Sequence, residues 1–256
     1  MSTGVTSSPS DFYWYHCIDL GDGVVTDGHY DMTPLLPHYC FPESMIGMRV
    51  LDVGRASGYF SFEMERRGAN VTATELPGIL DWDFFGSERT KKEYLALHPD
   101  IDSYSRRVIW GGFEYAHERL RSKVKPVWAS VYDLSPERFD HQKFDLVFMG
   151  SISSHVRDPY CAFERIASVT ADTAIFACPI LDISAVQDIP CMALNSSMKM
   201  KCKERLSWWT FNELALDTLL EGAGFIERKV MGRFMLPNRS TNEQYPHIVI
   251  HAKVKT

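Results

Sequence analysis

The 256-residue sequence predicts a doubly wound α/β fold: a mostly parallel, seven-stranded sheet with helices on both faces and an antiparallel strand at its carboxyl end. Three observations predict it. From residue 49 onward strand-like apolar runs alternate with helical ones; a glycine-bounded turn joins the first strand to the first helix; and the chain ends on two strand-like runs with no helical pattern between them.

In chain order, MSTGVTSSPS reads as a loose tail. FYWYHCIDLGDGVVTDGHYD (12–31) is aromatic and then broken by Gly21, Gly23 and Gly28, so it reads as an arm or lid. Residues 1–48 are therefore set apart from a domain over 49–256. The predicted elements of that domain are strand 49–54, helix 58–67, strand 70–76, strands 127–132 and 144–149, helix 159–168, strand 173–178 and helix 211–223. Thr210, with Glu213 three residues on, has the spacing of a capping box ahead of the last helix. FIERKVMGRF (225–234) and YPHIVIHAKV (245–254), joined only by LPNRSTNEQ, must pair antiparallel. Residues 82–126 and 182–208 break the alternation and read as insertions, where substrate choice commonly lies.

Composition bounds the function. With 45% apolar and 23% charged residues the chain can bury a full core, and a net charge of −6 offers no general attraction to nucleic acid. No basic leader precedes an apolar segment, and no apolar run reaches the length of a membrane span, which predicts a soluble, cytoplasmic protein. A monomer or homodimer is expected. Six cysteines, Cys17, Cys40, Cys161, Cys178, Cys191 and Cys202, contain no C-x-x-C pair, so neither a zinc site nor a disulfide framework is expected.

The motif that carries chemistry is RVLDVGRASGYFSFEMERRGANVTATELP (49–77). Its glycines, Gly54 and Gly58, are spaced G-x-x-x-G, without the third glycine that close approach of a pyrophosphate requires. Glu75 ends the second strand, 21 residues beyond Gly54, where a carboxylate accepts hydrogen bonds from both hydroxyls of an adenosine ribose. Adenosine without phosphate points to S-adenosylmethionine (SAM). The glycines are equally what a tight strand-to-helix turn needs. Ser57 and Tyr59 flank the turn, within reach of the amino-acid end of SAM, and Leu76 adjoins Glu75. Further along, ASVYDLSPERF and FDLVFMGSISSHVRDP place Tyr132 and Asp133 after one strand and Met149, Gly150 and Ser151 at the end of the next, at carboxyl ends where ligands of open α/β sheets bind.

These segments resemble the class I SAM-dependent methyltransferases over nearly the whole chain: LDVGRASG the glycine-rich first motif, TATELP the ribose-binding acid, VYDL the adenine motif. WYHCIDLGDGVVTDG, GYFSFEMERRGA, SVYDLSPERF and HVRDP look like the subgroup labelled tRNA wobble-uridine methyltransferase-like. The resemblance implies a Rossmann-like methyltransferase fold, SAM binding, and for Asp52 a part in orienting the amino-acid group of SAM. The sequence departs from the family at Arg55-Ala56, where many members have a small residue followed by glycine.

Methyl transfer from a sulfonium asks the protein for positioning and, for some acceptors, a base. His155 after the fourth strand and His16 and Tyr15 in the aromatic arm are the candidates, with helix capping and core packing as their structural alternatives. Trp208 and Trp209 are placed to wall an acceptor pocket or to pack beneath the insertion, and KMKCKERLSWW (199–209) reads as a solvated basic face or an RNA contact. Four functions fit: methylation of a small molecule at oxygen or nitrogen; cyclisation of SAM to azetidine-2-carboxylate with release of methylthioadenosine; tRNA wobble-uridine modification; and SAM binding without turnover.

Overall fold

The computed structural model describes residues 8–181, 187–195 and 207–255. Seven strands form one sheet: β1 Arg49–Val53, β2 Asn70–Glu75, β3 Lys125–Trp128, β4 Phe144–Gly150, β5 Thr170–Pro179, β8 Phe225–Pro237 and β9 Gln244–Val254. Their order is β3-β2-β1-β4-β5-β9-β8. β1 to β5 pair in parallel; β9 runs antiparallel to both β5 and β8. The single reversed strand is thus β9, inserted between β5 and β8. Order reverses between β1 and β4, and in open α/β sheets ligands bind at the carboxyl ends of the strands beside such a reversal.

Alternation within the strands sorts side chains to two faces. In β4, Val147 and Met149 face α5 (Pro159–Val169) and α6 (Glu213–Gly222), while Leu146 and Phe148 join α1 (Tyr59–Arg66), α4 (Gly111–Arg119) and the amino-terminal arm. Both faces are apolar because both are covered, as a parallel sheet requires.

The segment 82–126 holds α2 (Ser87–Leu97), α3 (Ile101–Ser105), a π-helical turn Arg106–Trp110 and α4. Of these, α4 packs on the sheet, with Phe113 stacked 5.4 Å from Phe62 of α1. A small cluster, Ile79, Phe84 and Ile109, holds the others together. Of the segment 182–208, only 187–195 and 207–208 are described; β6 (Met192–Leu194) pairs there with β7 (Trp209–Phe211), and most of the basic run 199–209 lies outside the described residues.

Two expected boundaries move. The strand expected over 127–132 ends at Trp128, because Ser130 and Asp133 form their own reciprocal capping box around the 3-10 turn Val131–Asp133. Thr210 is not the cap of α6: it pairs with Ala193 in the β6–β7 ribbon, its hydroxyl bonds Asn195, and Asn212 caps instead by accepting from the Ala215 N–H at 2.8 Å. The five cysteines among the described residues are free, and Cys202 lies outside them. Among the described residues no group of side chains could hold a metal ion, and no helix is long and apolar enough to cross a membrane.

Candidate active site

The turn after β1 is built by backbone bonds. The N–H groups of Gly54 and Arg55 both donate to the Thr74 carbonyl of β2, at 3.1 and 3.0 Å, and the Gly58 N–H donates to the Arg55 carbonyl at 2.8 Å. Gly54 and Gly58 lie at φ 75° and 95°, the left-handed region. A Cβ on Gly54 would stand 2.4 Å from Ile152, and one on Gly58 2.7 Å from the Phe113 ring. Ala56 takes the same left-handed conformation, at φ 48°, without being glycine.

This turn aims the Ala56 N–H at Glu75, whose Oε2 accepts it at 3.0 Å while Oε1 accepts the Leu76 N–H at 2.9 Å. An ionised carboxylate has about four lone-pair positions, so roughly two remain for the hydroxyls of a ribose. Burial pushes the Glu75 carboxyl above its ordinary value, and the neighbouring Arg55 guanidinium opposes that rise. Asp52 lies on the far side of the turn: it is 2% exposed and accepts from the Ser61 hydroxyl of α1 at 2.5 Å. Burial there raises its pKa to about 7. The carboxyl thereby ties β1 to α1.

The amino-terminal arm folds over this turn. The Tyr15 N–H donates to the Ser57 hydroxyl at 2.9 Å, so Ser57 anchors the arm. His16 is 6% exposed, 5.6 Å from the Phe60 ring and 5.9 Å from that of Tyr59. Its Nδ1 is buried with no hydrogen-bond partner among the described residues, and burial lowers its pKa to about 3, which keeps the ring neutral. Tyr15 packs 4.9 Å from Tyr30, and burial drives the Tyr15, Tyr39 and Tyr59 hydroxyls above their ordinary values. The Tyr15 and His16 rings that the arm lays against the turn are therefore uncharged. Tyr59 itself touches the arm through its hydroxyl, 3.4 Å from Thr33.

On the β3 and β4 side, Tyr132 donates its hydroxyl to Asp83 at 2.6 Å and accepts the Asp158 N–H at 3.0 Å. Asp133 is exposed, and its carboxylate is held by the Ser130 N–H at 3.2 Å. The Trp208 indole donates to the Asp83 carbonyl and the Trp209 indole to the Arg157 carbonyl, so both rings fasten the loops beside β4. β4 ends at Gly150, with Met149 fully buried behind it in the core. Ser151 follows at φ 60°. His155 is exposed at the end of the 3-10 turn Ile152–Ser154.

One residue that sequence reasoning missed stands here. His247 of β9 is 4% exposed and stacked on Phe234, with Nε2 3.3 Å from the Ser151 hydroxyl and Nδ1 2.9 Å from the Tyr245 carbonyl. A carbonyl only accepts, so Nδ1 carries the proton of the neutral ring and the Nε2 lone pair faces Ser151. Burial lowers the His247 pKa, which favours that neutral form. No local signal marked it: in YPHIVIHAKV it reads as one polar position of a strand.

No protein-family model and no curated protein matches the chain. Solved structures do. The amino-terminal domain of EvdMO1, determined in the presence of S-adenosylhomocysteine (SAH) and D-fucose, aligns over 94% of this chain and 91% of that one, at 17% identity and a TM-score of 0.57. A 1,6-didemethyltoxoflavin-N1-methyltransferase from Burkholderia thailandensis, with its substrate and SAH bound, aligns over 88% and 80%, at 17% identity and a TM-score of 0.51. What this chain shares with both is the fold, the Rossmann-like fold of the class I SAM-dependent methyltransferases.

Proposed function

We propose that the protein is a SAM-dependent methyltransferase acting on a small molecule. The observation that carries the reading is Glu75, pinned to the glycine turn with acceptor capacity to spare, at the carboxyl end of β2 and beneath an aromatic arm. The donor set fits SAM: a carboxylate for the ribose diol, a turn without the third glycine of a pyrophosphate site, and neutral tyrosine and histidine rings suited to a sulfonium. SAM would supply an electrophilic methyl group. Glu75 and Leu76 would hold its ribose, with Gly54, Ser57, Gly58 and Tyr59 forming the turn beneath the amino-acid end, the backbone at Met149 and Gly150 meeting that same end, and Tyr132 and Asp133 bordering the adenine. Asp52 would act from behind, through Ser61. Tyr15 and His16 would close the site against water.

For the acceptor, His247 has the geometry of a base: Nε2 is unprotonated, its orientation is set by the Tyr245 carbonyl, and it faces Ser151 at the end of β4. Ser151 would relay or give place to the acceptor hydroxyl or amine. His155, exposed on its turn, is the weaker candidate. The small molecules named with two of the structural neighbours, D-fucose present with one and 1,6-didemethyltoxoflavin bound to the other, support a small acceptor. A tRNA wobble-uridine role asks for a polyanion-binding face at this end of the sheet. Among the described residues, Arg49, Arg121, Lys123, Lys125 and Arg138 line a groove at the opposite, amino-terminal ends of β1 to β3.

The enclosing arm also suits a reaction in which SAM is the only substrate, closing its own azetidine ring. The two are separated by incubating the protein with SAM alone and then with phenols, amines and sugars, following products by mass spectrometry. SAH formed only with an acceptor is the expected result. Methylthioadenosine from SAM alone, absent in Glu75→Ala, would overturn methyl transfer in favour of cyclisation.

A further inference from the structure

The arm carries one polar atom to which closing the site gives no task. Nδ1 of His16 is buried with no hydrogen-bond partner among the described residues. Its neighbours in the arm are partnered: the Trp14 indole donates to the Pro9 carbonyl at 2.7 Å, the Thr26 hydroxyl to the His16 carbonyl at 3.0 Å, and the Tyr15 N–H to Ser57 at 2.9 Å. A buried ring nitrogen left unpaired costs stability that a phenylalanine in the same place would not. Exclusion of water therefore accounts for a ring at position 16, but not for an imidazole.

The surroundings of the ring favour one kind of partner. Tyr59 and Phe60, whose rings lie 5.9 and 5.6 Å from it, are the first two residues of α1. The first backbone N–H groups of an α-helix have no acceptor within the helix, and Gly58, which precedes α1, offers no side-chain cap. Such an end attracts an anion and repels a cation. The Tyr15 N–H on Ser57 fastens the arm to this turn one residue before His16, so an unpartnered buried nitrogen and an uncapped helix start are held side by side.

We propose that His16 binds the amino-acid end of the nucleoside ligand, its Nδ1–H donating to the α-carboxylate that the uncapped start of α1 also receives. The inference rests on the SAM reading above. A carboxylate has about four lone-pair positions, so it accepts an imidazole N–H and helix N–H groups together, and the negative charge strengthens each bond. The ring is neutral in the free protein, and with its proton on Nδ1 it is the donor that such an acceptor needs. The arm thus contributes a contact to the ligand as well as a cover. An apolar ring would supply the cover alone.

The test is calorimetric titration with two ligands that differ in one group, SAH and its decarboxylated analogue S-adenosyl-3-thiopropylamine, for the wild type, His16→Phe, His16→Asn and His16→Gln. Neither ligand carries a sulfonium, so contacts of the aromatic rings with that cation do not enter. Phenylalanine keeps a ring without a donor, the asparagine amide falls where Nδ1 stands, and the glutamine amide falls where Nε2 stands. His16→Phe is expected to bind SAH roughly 10- to 100-fold more weakly than the wild type and to bind the analogue equally well. His16→Asn should recover most of that loss and His16→Gln little of it. Equal weakening of both ligands in His16→Phe, or no weakening of either, would overturn the proposal, since packing alone predicts the first and irrelevance the second. Where His16→Phe does not fold, the wild type decides. With its histidines labelled by nitrogen-15 and assigned through bonds, His16 Nδ1 should be protonated in the SAH complex and shifted from its position in the analogue complex. An unprotonated Nδ1, or one that the two ligands leave alike, would overturn the proposal. A wild type that binds both ligands equally keeps the SAM reading and overturns this inference alone; one that binds neither overturns both.

Discussion

The exit of β1 and β2 and the exit of β4 and β9 teach different things. At the first, Gly54, Ala56, Gly58 and Glu75 lie within one strand–helix–strand unit, and every bond among them is donated by a backbone N–H that the turn fixes, the Glu75 carboxylate accepting one of them. At the second, Ser151 and His247 are 96 residues apart and meet only because β9 enters the sheet beside β5. The first exit is a local construction with a spacing that can be read. The second is a product of topology, and its chemistry lies in a lone pair aimed by a carbonyl.

Substitutions can break this division of labour. The largest effect is expected for His247→Asn: if His247 is the base, turnover of an acceptor that must lose a proton falls roughly 10²- to 10⁴-fold while SAH affinity is kept. In the wild type the rate should fall only well below the ordinary imidazole range, because burial lowers the His247 pKa and the ring must be neutral to act. Equal loss of binding and rate would make His247 structural. Next is Glu75→Ala, which removes the ribose acceptors and leaves the Ala56 N–H unpaired; SAH affinity should drop roughly 100-fold or more. An unchanged isotherm would contradict the proposed cofactor site.

Asp52 tests the local exit through stability. Its folded pKa, raised by burial to about 7, means that the native state holds a proton the unfolded chain gives up near pH 4. This contribution is therefore greatest below pH 4 and declines as pH rises to 7, by on the order of 2–4 kcal/mol at most. Asp52→Asn keeps an acceptor for Ser61 and should remove that decline, so its melting temperature gains on the wild type from pH 5 to pH 8. A constant offset would mean that Asp52 is ionised in the native state. The smallest effect is Ala56→Gly, which relieves a left-handed alanine and should stabilise by about 0.5–1 kcal/mol in chemical denaturation.

Legibility follows the same line. The parallel strands, the reversed strand near the end, the glycine turn and Glu75 were readable because period and spacing act over a few residues. The end of β3 was misplaced because VWASVYD continues the apolar pattern, while the Ser130–Asp133 capping box, a side-chain effect, turns the chain away. Thr210 carried the right cap signature, but the β6–β7 ribbon took it and left Asn212 to cap. Arg55 stood out in the sequence only as a departure from a family pattern, since nothing local says that Phe113 and Trp128 will enclose it.

The sequence by itself determined the α/β class, the turn after β1 and the acid at the end of β2, because hydrophobic period, positive-φ glycines and strand length act locally on the backbone. Only the tertiary structure decided that the arm lies over the turn, that Arg55 is caged between Phe113 and Trp128, and that His247 faces Ser151. Each of those depends on burial and on contacts between distant segments, and burial is what sets the charge of a side chain and therefore the chemistry it can perform.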